Sequence, residues 1–224
     1  MPGFNPDNQS KPNSQSSCVP ASKRMSISRQ TVIQIGIDAL NEVGSDLICE
    51  VCIMNGGSCC KGCHHLANGI GCKERNTSCT AWLCGFLKYL LYATGLLKEW
   101  DDFWRQVPGQ YFREDCTPET FPVNKLLHMQ NIRKLSEALA TDLQEIAAKH
   151  IAIGFILTLQ DKIDKNIDQW NYFRDDPKKR IKFERNIKVL SSPFHRFQIE
   201  LSEYHLNKPN TINGAARIGK GDNE

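Results

Sequence analysis

Apolar residues along this chain recur mostly at helical spacing, and polar, turn-forming stretches separate the runs. Ile33, Ile37, Leu40 and Val43 form a first stripe, with Ser28 placed to cap the helix and Gly44 placed to end it. Ile33, Ile35 and Ile37 also alternate as a strand would, but the ending ALNEVGSD favours the helix. From Asp46 to Thr80 the pattern fades into Gly, Asn and Ser, the composition of loops held by something other than an apolar core. Trp82, Phe86, Leu90, Ala93 and Leu97 then predict one face of a strongly apolar helix, and Trp100, Phe103, Trp104 and Val107 a short second helix stopped by Pro108.

A loop is expected from Pro108 to Pro122. The spacing of Ile132, Leu135, Leu139, Leu143 and Ile146 predicts the next helix. Between Ile151 and Leu159 apolar residues alternate as in a strand, yet Ile153, Ile156, Ile163, Ile167 and Trp170 make a longer helical stripe, and helix is the reading adopted. Asp176 to Leu190 reads as a charged helix, and Ser192 and Pro193 open a last one carrying Phe194, Phe197, Leu201 and Tyr204. The fold class expected is mainly α, with an irregular cysteine-rich metal-binding knuckle packed on a helical domain. Its parts are a disordered tail over 1–25, a cysteine-rich region with flanking helices over 26–116, a helical region over 117–206 and a second disordered tail over 207–224.

With 224 residues and 40% hydrophobic content the chain is long and apolar enough to bury a real core. A net charge of +3 neither demands nor excludes nucleic acid as a partner. The first residues lack the apolar run of an export signal, so a cytoplasmic protein is expected. No membrane partner is expected either, because the most apolar stretch, Ala81 to Leu97, is short for a bilayer and contains Lys88.

The ten cysteines change this picture. Eight of them fall between Cys49 and Cys84, while Cys18 and Cys116 stand apart. In a reducing compartment such density points to metal thiolates rather than disulfides. Cys49 and Cys52, and again Cys60 and Cys63, have the C-x2-C spacing that turns two sulfurs toward one tetrahedral ion. Asn55, Gly56 and Gly57 supply residues that tolerate the tight turns between the pairs. With Cys59, Cys72, Cys79 and Cys84 there are thiols for two four-coordinate zinc sites, or for one iron–sulfur cluster and one zinc.

In its C-x2-C pair, its Cys59–Cys60 doublet, the Cys in GIGCKERNTSC and its final C-x4-C, this segment resembles the bacterial cysteine-cluster proteins described as zinc- or iron-chelating domains. The resemblance implies metal binding by Cys49, Cys52, Cys59, Cys60, Cys72, Cys79 and Cys84, with Arg75 at the family's Arg-Pro position. This chain departs from that pattern in its six residues between Cys52 and Cys59, in the additional Cys63, in Asn76 where the family has Pro, and in a short interval from Cys72 to Cys79.

Around the thiols, His64 and His65 are alternative ligands, Glu50 and Glu74 are candidate bases on a metal-bound water, and Arg75 is a candidate to neutralise a thiolate site from behind its ligands. Lys61 and Lys73 beside the cysteines, and Lys178, Lys179, Arg180 and Lys182 in a basic run that continues to Arg185, are candidate nucleic-acid contacts. Trp100, Trp104, Tyr111 and Phe112 are a candidate stacking platform that also fits an ordinary core. Signatures of a phosphate loop, a zinc protease, a nucleophile elbow or a cytidine deaminase are missing. The sequence therefore points to a metal-binding helical module for a protein or nucleic-acid partner, with an iron–sulfur redox protein or enzyme as the alternative.

Overall fold

The structure is a computed structural model that describes residues 24–58, 63, 65–67, 71–72, 75–111, 114–150 and 154–207. In chain order the elements are β1 (Met25–Ser28), α1 (Arg29–Glu42), α2 (Ser45–Met54), β2 (Leu66–Ala67), β3 (Gly71–Cys72), α3 (Thr77–Ala81), α4 (Gly85–Thr94), α5 (Leu97–Trp104), β4 (Gln110–Tyr111), β5 (Glu114–Asp115), β6 (Thr120–Val123), α6 (Arg133–Lys149), α7 (Phe155–Tyr172), α8 (Pro177–Leu190) and α9 (His195–Asn207). The molecule is mainly helical, as its periodicity predicts.

Several helix ends follow from single residues. Ser28 caps α1 by accepting a hydrogen bond from the Thr31 backbone N–H at 3.1 Å, and Asp176, followed by Pro177, caps α8 through the Lys179 N–H. Between Phe155 and Tyr172 the helical stripe prevails over alternation, because Ile156, Leu159, Ile163 and Ile167 are all buried on one side of α7. Residues 151–153 lie outside the described residues, as do 1–23 and 208–224, where the tails were expected.

Three expectations are corrected. First, the stretch after Asp46 opens with a helix: α2 buries Ile48 and Val51 completely, and Cys52 almost so, against the core. Cys52 is buried there together with Ile48 and Val51, which the loop-like composition farther along concealed. Second, Trp82 does not lead the apolar helix but stands 41% exposed, because Cys84 is extended and α4 starts only at Gly85. Gly95, at φ 75°, ends α4 in the left-handed conformation, so Leu97 belongs to α5. Third, Met25, assigned to the tail, begins β1, which pairs antiparallel with β6 in the register Met25↔Val123 and Ile27↔Phe121. β6 and the small β4–β5 hairpin occupy much of what the turn residues suggested was loop.

One contiguous core runs from Val32 and Leu40 of α1 through Phe86, Leu90 and Leu91 of α4 to Leu139 and Leu143 of α6 and Phe194 and Phe197 beside and within α9. It crosses the expected boundary near residue 117, since α4 packs on α7 and α2 on α6. Each fully buried Leu or Phe contributes roughly 1.5–3 kcal/mol relative to exposure. Across α4 and α7, Lys88 forms ion pairs with Asp164 at 2.5 Å and Asp168 at 2.7 Å. Burial works against the charged ammonium, but the two carboxylates outweigh it and raise the Lys88 pKa above its ordinary value. No helix among the described residues is long and apolar enough to cross a membrane.

Candidate thiol centre

The first C-x2-C pair sits on a helix rather than in a loop. On α2 Cys49 and Cys52 are one turn apart and share a side of the helix. Cys52 is 7% exposed, and its Sγ–H donates to Oε1 of Gln160 on α7 at 3.4 Å. The chain then doubles back, with the Gly57 N–H bonded to the Cys52 carbonyl at 2.8 Å. A Cβ at position 57 would stand 2.2 Å from the Cys52 sulfur, so only glycine fits that approach.

Cys84 precedes a second close approach to Gln160. It is 3% exposed at the N-terminus of α4, and the next residue, Gly85, lies against the backbone of Gln160. Gln160 thus meets the Cys52 thiol through its side chain and Gly85, the residue after Cys84, through its backbone carbonyl. The sequence gives no hint of this residue, because nothing in a surface-type Gln on an amphipathic helix signals contact with cysteines so distant along the chain.

Arg75 is exposed, and the charge of its guanidinium acts on the Cys49 thiol in the direction that lowers its pKa. Burial raises the Cys49 pKa first; the neighbouring Cys52 and Asp46 raise it further, and Arg75 opposes them. The net shift is upward, so at neutral pH Cys49 carries its proton, which a bound metal ion would displace. Cys63 and Cys79 are half-buried, Cys79 within α3.

A polar knot absent from the sequence reading anchors that short helix. Asp115 of β5 accepts hydrogen bonds from Thr77 N–H at 3.0 Å, Thr77 Oγ1–H at 2.8 Å and Thr117 N–H at 3.0 Å. Burial pushes the Asp115 carboxyl upward, but these bonds prevail and hold it below the usual value of 3.8. At the other side of the same turn, the Asn76 side chain accepts from the Cys79 N–H at 2.7 Å. The start of α3 is thereby tied to β5.

Cys59, Cys60, Lys61, His64, Lys73, Glu74 and Phe112, and the side chain of Cys72, lie outside the described residues. Among the described residues no three Cys, His, Asp or Glu side chains form a ready metal-binding group. His65 is half-buried, and Glu50 and Cys116 are exposed. Trp100 and Trp104 belong to the core, and Trp100 Nε1–H donates to the Ala81 carbonyl at 2.9 Å, so with Tyr111 62% exposed no stacking platform is assembled from them. In the basic run, Lys179 pairs with Asp176 at 3.5 Å, and the Arg180 guanidinium covers the Trp170 ring at 4.3 Å. Arg180 serves the α7–α8 contact, while Lys178 and Lys182 face solvent.

In comparison with known proteins, the chain matches no family model, no curated protein and no solved structure. Its likeness to the cysteine-cluster proteins rests on cysteine spacing alone.

Proposed function

We propose that the chain is a mainly helical metal-binding module, in which thiolates drawn from Cys49, Cys52, Cys59, Cys60, Cys63, Cys72, Cys79 and Cys84 hold zinc and fasten the cysteine segment to α2, α3 and α4 for display to a macromolecular partner. The observation that supports the reading most directly is that Cys52 and Gly85, the neighbour of Cys84, both lie against Gln160, with Cys49 one turn away from Cys52 and the charge of Arg75 acting on Cys49. A Cys of α2 and the residue next to Cys84 thus both border Gln160 of α7, which is compatible with thiolates from distant parts of the chain serving one closed structural site. A thiolate site stabilises its surroundings outright, and the loops between Met54 and Asn76 have the composition that depends on such help.

Metal analysis with an ultraviolet–visible spectrum, on protein purified without oxygen or chelator, tests the reading. Zinc near stoichiometry and no colour are expected, with loss of zinc in Cys52→Ser and in Cys84→Ser. Iron with acid-labile sulfide and a broad visible band would replace zinc by a cluster and turn the search to redox chemistry. Folded protein without metal, equally stable after either substitution, would refute the proposal.

A further inference from the structure

The cations of this protein are unevenly neutralised. Across α1, α4, α5 and α6 nearly every described Lys and Arg has a carboxylate partner: Arg29 with Glu119, Lys88 with Asp164, Lys125 with Glu99, Arg133 with Asp46 and Lys134 with Glu200. The α7–α8 hairpin differs. Lys178, Lys182, Arg185 and Lys188 of α8 are exposed and have no carboxylate partner among the described residues, as is also true of Lys162 and Arg174 beside them.

These four cations recur every three or four residues, so they form one row on the outer face of α8, away from the side on which Ile187 is buried. The sole acid of α8, Glu184, lies to the side of the row, and Arg180, which would interrupt the regular spacing, is turned inward onto Trp170. From Lys178 to Lys188 the row spans about 15 Å of helix axis, the rise of ten helical residues. One strand of duplex DNA presents a phosphate for about every 3.4 Å of its axis, so that length offers roughly four phosphates to four cations.

We infer that the outer face of α8 binds the phosphate backbone of duplex nucleic acid through Lys178, Lys182, Arg185 and Lys188, without reading sequence. The match is to a regular polyanion. Ile181 and Val189, 56% and 66% exposed, are the apolar residues between the cations, too few to hold an interfacial helix in a bilayer. Nothing in this face depends on the thiol centre, so metal content and nucleic-acid binding can succeed or fail separately.

The test is fluorescence anisotropy of a short labelled DNA duplex at several salt concentrations, with anionic phospholipid vesicles and polyglutamate as competing probes. Four phosphate contacts give a log–log salt slope of about −3.6, so the wild-type affinity should fall roughly 100-fold between about 50 and about 200 mM salt. The charge reversals Lys182→Glu and Arg185→Glu together should weaken binding at low salt and roughly halve the slope. Both sites are exposed, and an unchanged circular-dichroism melt would show that the fold is intact. Lys149→Glu, on α6, should bind as wild type does. Three results would each overturn the proposal: no DNA binding near 50 mM salt, a double variant indistinguishable from wild type, or retention by vesicles or polyglutamate in preference to DNA.

Discussion

Gly85→Ala sets two physical effects against each other at the centre of the fold. Alanine favours a helix over glycine by up to about 1 kcal/mol, which predicts stabilisation of α4. The structure predicts the opposite sign. A Cβ at position 85 would stand 2.2 Å from the backbone carbonyl oxygen of Gln160 and 3.0 Å from Cβ of Asp164. A helical carbonyl cannot rotate away, so α4 must shift off α7 by about an ångström, loosening the packing around it. Overpacking of this kind costs about 1–3 kcal/mol, and contact with backbone belongs at the upper end. The net expectation is a loss of about 2 kcal/mol, a fall in Tm of roughly 4–8 °C for a chain of this size. Thermal and urea denaturation followed by circular dichroism give the answer. Gln160→Ala in the Gly85→Ala background should recover no stability, because the clash is with backbone and not with the side chain. If Gly85→Ala melts at or above the wild-type temperature, the close approach of α4 to α7 at Gln160 is refuted.

Further outcomes are expected elsewhere. Asp142, 2% exposed on α6, accepts the Phe197 N–H at 2.9 Å and Arg196 Nη1–H at 3.2 Å, so Asp142→Ala strands a buried donor and should cost about 1–3 kcal/mol; a variant melting like wild type would show that α9 docks without it. Asp115 has a folded pKa below its ordinary 3.8, so its contribution is complete above that value and disappears as pH falls through the folded one. Asp115→Asn should therefore lower stability at pH 7 and flatten the decline in Tm below about pH 4; an unaltered acid limb in melts across pH would assign that limb to other carboxylates. Cys52→Ser and Cys84→Ser should lose metal, whereas Cys116→Ser, at an exposed thiol remote in sequence from the cluster, should retain it; equal metal content in all three would place the ligands elsewhere.

Local chemistry is written plainly in this chain, and that part of the fold could be read directly. Ser28 and Asp176 mark helix starts because each satisfies a backbone N–H within three residues, and the stripe from Ile156 to Ile167 implies α7 because its period is a property of the segment itself. Tertiary contact alone decided the rest. Ile27 becomes part of a strand only because Phe121 pairs with it across the fold, and four residues with two serines have no strand signal of their own. Cys49 and Cys52 were recognisable as a C-x2-C pair, yet whether that pair lies on a loop or a helix depends on the core waiting for Ile48 and Val51. The crowding of cysteines was visible in sequence, but the approach of Cys52 and Gly85 to Gln160, and the turning of Arg180 onto Trp170, were not. A helix cap or a periodic stripe is settled by interactions among neighbours in the chain. A contact among α2, α4 and α7 depends on how those helices pack, and packing is settled by the summed burial of many residues that carry no mark of their partners.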